Sequence, residues 1–568
     1  MKFAHALLAL AALAVPFTAA PAQKAPSAAF DWLEYSGSDP TDELSAPAPD
    51  QYRNPILQGF YPDPSIVRVG EDYYLTNSTF GYFSGLPVFH SRDLVNWTQI
   101  ANAIDRPGQL RLGTGDMMNG PFAPAIQHRD GVFYIVNTCF KCGWNYVITS
   151  TNPAGPWSDP VWLPKLGEGI DPSIFFDEGT GRAWIVNNDI PPEGERYSGH
   201  RAIFLQEFDA KNLRTFGPRT VILDAGIKPA EEPGYVEGPH IFKRGDWYYL
   251  TAAEGGTGDG HRQVILRSRT VTGPYVAKPA NPILTQMDLP AKRPFPVTST
   301  GHADFFNTPK GDWYAVFLGV RPYKGGHFNT GRETFMLPVS WKDDWPEILP
   351  PRTVVPLTSR RPDLPRGSAP LPTNGPFTIR DDFAGNALPL HYVMRRMPTE
   401  QWFSVGGGKL VINGRAEGLS TEGNPSFLGR RLQHQQVSTT TLMDYAGLQQ
   451  GDVGGLAIGQ NEKFWMTVQV ERTVEGARVA VRRRAGANDP VKGTLLGSAA
   501  LPAGRTRPIR LRIDGSGGDY SFLFASQDGP WQIVAEKVDG TILSSSVAGG
   551  FQGAVVGPFV TDGGADQR

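Results

Sequence analysis

Asp63-Pro-Ser-Ile-Val-Arg-Val-Gly-Glu-Asp-Tyr-Tyr-Leu75 reads as a polar turn opener, a short apolar strand, a tight turn and an aromatic strand. The aromatic strand recurs as Gly131-Val-Phe-Tyr-Ile135, Arg182-Ala-Trp-Ile-Val186, Asp246-Trp-Tyr-Tyr-Leu250 and Asp312-Trp-Tyr-Ala-Val316. Each copy is followed by a further strand and a polar or Pro-containing turn, as in Phe89-His-Ser-Arg-Asp-Leu-Val-Asn-Trp97. An interval of about 50–65 residues fits one antiparallel four-stranded blade. One blade cannot bury both of its faces, so stacked neighbours must supply the core. The expected fold class is all-β, with a five-bladed β-propeller over residues 51–350.

Composition agrees with this reading. The 568 residues include 65 Gly and 50 Pro, both disfavoured inside helices, which argues against a helical bundle. Aromatic residues reach 11%, charged residues only 19%, and the formal net charge is −2. A nucleic-acid partner is therefore not expected.

The ends of the chain carry separate signals. Met1-Lys2, an apolar run from Phe3 to Val15, and Ala20-Pro21-Ala22 read as a secretory signal peptide over residues 1–22. The run is shorter than the ~20 residues that span a bilayer, so no membrane association is expected after cleavage. Export to a periplasmic or extracellular compartment follows, with residues 23–50 as a leader. Residues 351–375 are Pro-rich and read as a semi-rigid linker. Beyond it, Lys409-Leu-Val-Ile-Asn413, Phe464-Trp-Met-Thr-Val-Gln-Val470 and Ile509-Arg-Leu-Arg-Ile513 alternate with period two. They predict an antiparallel β-sandwich over residues 376–562, with 563–568 as a polar tail. The two cysteines, Cys139 and Cys142, lack both a thioredoxin-like context and a second pair for zinc. Two free thiols near a loop are expected, and an oxidised pair is the alternative.

The strand before each aromatic strand carries the chemistry. Its copies are Asp63-Pro-Ser-Ile66, Ala123-Pro-Ala-Ile126, Asp171-Pro-Ser-Ile174, Glu237-Gly-Pro-His-Ile241 and His302-Ala-Asp-Phe305. In a propeller the first strand of each blade lines the axis. Asp63, Asp171, Glu237 and His302 are therefore expected to converge, although the Glu237 copy is one residue longer. Asp-Pro and Glu-Gly are also common turn openers. Several carboxylates at equivalent axial positions would repel without a task, however. A carboxylate pair across a polar pocket suits glycosidic bond cleavage, and a third carboxylate raises the acid's pKa.

In these segments the chain resembles glycoside hydrolase family 43. The resemblance rests on Asn54-Pro-Ile-Leu-Gln-Gly-Phe-Tyr-Pro-Asp-Pro-Ser-Ile66, Ser91-Arg-Asp-Leu-Val-Asn-Trp97, Ile170-Asp-Pro-Ser-Ile174, Glu237-Gly-Pro-His240 and Gly301-His302. It implies that Asp63 is the general base, Asp171 the pKa-tuning carboxylate and Glu237 the general acid, with inversion at the anomeric carbon. His302 sits where the family has an axial histidine that often holds calcium through water; a hydrogen-bonded structural histidine is the other reading. No cofactor is otherwise required. Arg332 resembles an arginine that binds sugar hydroxyls, the alternative being a solvent-facing strand residue. Phe122 stands where many members have Trp, as a wall of the sugar site. Phe83 is a further candidate wall, with blade core as its alternative.

Asp381-Asp-Phe383, Leu428-Gly-Arg-Arg-Leu-Gln-His434 and Gly454-Gly-Leu-Ala-Ile458 resemble the concanavalin-like, jelly-roll domain attached to β-xylosidases of this family. In such relatives the sandwich closes one side of the pocket, which favours chain ends. The resemblance implies an exo-acting xylan 1,4-β-xylosidase acting on xylo-oligosaccharides or arabinoxylan. The alternatives are an α-L-arabinofuranosidase and, in a different class, a carbohydrate-binding propeller without catalysis.

Overall fold

A computed structural model describes residues 25–44, 46–228, 234–502 and 508–563. The expected signal peptide and all of the polar tail but Gly563 lie outside these residues. Strand and turn dominate, and five antiparallel sheets repeat around one axis. The first is built from Ser65–Val69, Asp72–Thr76, Gly85–Ser91 and Thr98–Ile104. Later blades open on Ala125–Arg129, Ile170–Asp177, Val236–Arg244 and Thr298–Asn307, each followed by its aromatic strand.

Aromatic load explains the stacking. Separate apolar clusters fill the spaces between neighbouring blades; one joins Phe175 and Trp184 to Tyr248 and Leu250, another joins Tyr73 and Leu75 to Phe306 and Tyr314. Fully burying each such side chain contributes about 1.5–3 kcal/mol. The fifth blade has three strands, and the segment before the first blade completes it. Ile56 N–H donates to Thr334 O at 2.8 Å, and the Asn54 amide exchanges two hydrogen bonds with the Met336 backbone. The ring is therefore closed by residues from its opposite end.

The leader expected over residues 23–50 is corrected by the structure. Ser27–Ser38 is a twelve-residue strand inside the sandwich, paired with Phe377–Asp381, Lys409–Asn413 and Gln436–Asp444. Ala28, Phe30, Leu33 and Tyr35 are buried, and a bulge between Phe30 and Trp32 shifts the alternation. That bulge breaks the period-two pattern by which a strand is read. The sandwich thus consists of two eight-stranded sheets drawn from both ends of the chain. Tyr82–Phe83, from a propeller loop, forms the edge of the second sheet against Tyr392–Arg395. The Pro-rich stretch lies along the propeller, where Thr358–Arg360 pairs with Gln51–Arg53.

Cys139 and Cys142 form a disulfide, with Cα atoms 5.2 Å apart, so the expectation of two free thiols fails. A turn in which Cys142 N–H donates to Cys139 O brings the two together.

Candidate active site

The inner strands carry one backbone device in four blades. Asp63, Asp171, Gly238 and His302 have φ of 50, 53, 55 and 53°, in the left-handed region. Ladder register is irregular at Ile170/Ser173, Glu237/His240 and Gly301/Asp304. Each irregularity turns the chain toward the axis before the strand proper begins. Register therefore aligns Gly238, not Glu237, with Asp63, Asp171 and His302. Glu237 reaches the site from one residue earlier, which accounts for the longer copy.

The residues that follow hold the blades in place. Ser65 Oγ donates to Asp304 Oδ2 at 2.8 Å, Ile126 N–H donates to Ser65 Oγ at 3.1 Å, and Ser173 Oγ donates to Pro239 O at 2.6 Å. Asn188 ties the third blade to the fourth. Its Oδ1 accepts from Ile170 N–H at 3.0 Å, and its Nδ2 donates to Val236 O at 3.1 Å. The residues beside Asp171 and Glu237 are thereby fixed to one amide.

A cavity of about 690 Å³ opens on the axis and is lined by Asp63, Asp171, Glu237, His302, Arg332 and Phe122. Asp63 is buried, and Arg332 grips its carboxylate with Nη1 and Nη2 at 2.8 and 3.3 Å. Ser78 Oγ donates to the same group. Asp171 Oδ2 accepts from Gly238 N–H at 3.0 Å. Burial, Glu237 and Asp63 push the Asp171 carboxyl well above its ordinary range. Burial and the nearby Asp63 raise Glu237 to about 7, with Arg332 opposing. One carboxylate is thus pinned to a cation while another holds a proton near neutrality, which is the division of labour that acid–base hydrolysis needs.

His302 faces Asp63, with Nδ1 3.8 Å from Oδ1, and burial lowers its pKa to about 3, keeping the ring neutral. A Cβ on Gly238 would lie 2.9 Å from that ring. Among the described residues no group of three or more His, Cys, Asp or Glu side chains is arranged to hold a metal. The carboxylate facing His302 is already paired with Arg332. The residues present do not fit a directly coordinated calcium ion, and no step below depends on one.

Arg332 is buried in the site, so the solvent-facing alternative does not hold. Phe122 stacks on Phe140 at 4.8 Å and packs tilted against Phe80 at 5.1 Å. Phe83 is not a wall of this cavity. It is 3% exposed, its strand pairs with the sandwich, and Phe80 is the aromatic that its loop contributes. Phe140, Trp144, Tyr235 and Phe551 also line the cavity without having been singled out in the sequence. Phe551 comes from the sandwich and packs on Phe80 at 5.6 Å. No local pattern marks it, because it lies almost five hundred residues from Asp63.

The model for glycosyl hydrolases family 43 matches residues 52–346, and that for the beta xylosidase C-terminal concanavalin A-like domain matches residues 380–568. A xylosidase/arabinosidase of Butyrivibrio fibrisolvens is 33% identical over 90% of this chain and 96% of its own. A non-reducing end alpha-L-arabinofuranosidase of Bacteroides ovatus is 34% identical over 90% of this chain and 92% of its own. The crystal structure of a GH43_12 protein from a capybara gut metagenome superposes with a TM-score of 0.87 at 34% identity, covering 94% of this chain and all of that one. With three carboxylates at one axis and a matching sandwich beside them, this chain is a glycosidase and belongs to glycosyl hydrolases family 43.

Proposed function

We propose that the protein is an inverting, exo-acting β-xylosidase that releases xylose from the non-reducing ends of xylo-oligosaccharides. The observation that carries this reading is the split between Asp63, clamped by Arg332, and Glu237, raised to about 7 in the same pocket. Asp63 takes a proton from a water molecule as that water attacks the anomeric carbon. Glu237 gives its proton to the departing glycosidic oxygen; burial and the nearby Asp63, rather than Asp171, keep that proton on it until then, and Asp171 is held beside it by Gly238 N–H. Arg332 holds Asp63 in position and offers its guanidinium edge to a sugar hydroxyl. Phe551 of the sandwich walls one side of the cavity, which supports attack at chain ends. The reading of Met1 to Ala22 as a signal peptide supports an exported enzyme meeting its polymer outside the cytoplasm.

The second reading is an α-L-arabinofuranosidase, favoured by the name of the Bacteroides ovatus relative, while the Butyrivibrio relative is named for both activities. Comparing kcat/KM for an aryl β-D-xylopyranoside and an aryl α-L-arabinofuranoside decides between them, with the xyloside expected to be preferred. Proton NMR of the first-formed sugar is expected to show inversion. Retention would rule out direct water attack by way of Asp63.

A further inference from the structure

The aromatic wall at Phe122 continues outward into a turn that the acid–base chemistry does not use. Strands Val132–Phe140 and Trp144–Ser150 meet there, with Cys139 paired across to Trp144. The Cys139–Cys142 disulfide closes the turn, and Lys141 at its tip has φ of 57°. Phe140 lies flat on Phe122 with an interplanar angle of 24°, and meets the Trp144 ring edge-on at 5.3 Å. The base of the turn is also bonded to the Phe122 segment. Cys139 and Phe140 pair with Pro121 and Gly120, and Phe122 N–H donates to Thr138 O at 2.9 Å. Turn and wall are therefore one mechanical piece.

Burial orients this piece along the cavity. Asp63 and Asp171 are 4% and 6% exposed at the floor, Phe140 and Trp144 are partly exposed, and Lys141 is exposed. All of them line the same cavity. A chain end that enters it places the sugar to be released against the carboxylates and the departing unit toward the rim. Partly exposed, edge-to-face aromatics with an ammonium beside them suit the apolar face and the hydroxyls of a pyranose.

We propose that the disulfide-closed turn 139–142 is the leaving-group wall of the pocket, with Phe140 and Trp144 stacking the departing sugar and Lys141 hydrogen-bonding its hydroxyls. This rests on the glycosidase reading. The Cys139–Cys142 bond holds Phe140 in place against Phe122, so it acts on leaving-group binding and not on bond cleavage.

The test compares a β-1,4-linked xylose disaccharide with β-D-xylosyl fluoride, whose one-atom leaving group cannot touch the wall. Two variants are measured, Cys139→Ala/Cys142→Ala and Phe140→Ala, the second leaving the disulfide intact. In both, the ratio of kcat/KM for disaccharide over fluoride is expected to fall about three- to tenfold, chiefly through KM for the disaccharide. A ratio equal to that of the unaltered enzyme in both variants, or a parallel loss on both substrates, would overturn the proposal and leave the turn a structural brace. If the unaltered enzyme turns over neither xylosyl nor arabinofuranosyl fluoride, the glycosidase reading fails first and the wall with it.

Discussion

At Glu237 chemistry and stability both favour the protonated carboxyl. Burial and Asp63 raise its carboxyl to about 7, so the acid is available in weakly acidic solution. Activity is expected to fall as pH rises through about 7, approaching tenfold per unit above it, because the proton-donating form is lost. Stability moves in the same direction. A carboxyl raised above its unfolded value contributes stability that is fully present below about 4.5 and is lost as pH rises through about 7. Glu237→Gln keeps the shape and removes the ionisation. It is expected to cut turnover of sugar substrates by about 10²–10⁴-fold. It should also unfold at higher temperature than the unaltered protein at pH 8.5, with little difference at pH 4.5. Thermal unfolding at the two pH values checks this, and an equal shift at both would contradict the raised pKa. Asp63→Ala should lose more activity than Glu237→Gln on an aryl xyloside, since a good leaving group needs less acid assistance while water activation stays indispensable. Equal losses on that substrate would remove the acid role from Glu237.

Among the elements, the inner strands of the blades decide the site. Sequence order and the Asp-Pro-Ser copies were sufficient to place Asp63 and Asp171 at one axis. They placed Glu237 in the same pocket but not its register, because the position equivalent to an aspartate there is Gly238, with φ of 55°. Two constraints meet at that glycine. Its N–H holds Asp171, and its missing side chain makes room for the His302 ring. Gly238→Ala adds a Cβ at 2.9 Å from the ring and places an alanine at positive φ. The expected cost is about 1–3 kcal/mol of stability, together with a fall in kcat as Asp171 and Glu237 are displaced. Urea unfolding and steady-state kinetics on the same sample test both parts, and full activity would show that the Gly238 contact does not position the carboxylates. Residues 23–50 read as a leader from their Ala-, Pro-, Ser- and Asp-rich composition, and the bulge between Phe30 and Trp32 left no clean alternation to mark the central sandwich strand within them.

For the whole molecule, the two domains act as one. Sandwich residues grip the segment that leads into Asp63. Gln433 Nε2 donates to Gln58 O at 3.1 Å, and Arg431 Nε donates to Phe60 O at 2.8 Å. A buried cluster lies alongside. Arg321 pairs with Asp39, just after the N-terminal sandwich strand, and its Nε lies 2.6 Å from Glu333 Oε2 in the strand next to Arg332. Burial pushes the Asp39 carboxyl up, but Arg321, His434 and the Gln435 N–H outweigh it and leave it below its ordinary range. Asp39→Ala leaves Arg321 with a single buried partner and is expected to cost about 3–5 kcal/mol. The contribution of Asp39 is present at neutral pH and lost as pH falls through its lowered pKa, so the difference between variant and unaltered protein should shrink in strong acid. A variant as stable as the unaltered protein at pH 7 would show that the two domains are held by other contacts.

By itself the sequence determined what repeats locally. Strand periodicity, turn residues, and the ordered Asp-Pro-Ser and Glu-Gly-Pro segments are local properties, so the propeller, the sandwich and the three carboxylates were legible in it. Tertiary structure alone decided which distant segments share a surface. It brought Phe551 to the cavity, withdrew Phe83 into the sandwich edge, joined Cys139 to Cys142 beside Phe122, and recruited the N-terminal strand to the far domain. The physical reason is that side chains far apart in the chain meet only through packing. Packing depends on bulges, register and domain contact, none of which leaves a periodic mark on the residues involved.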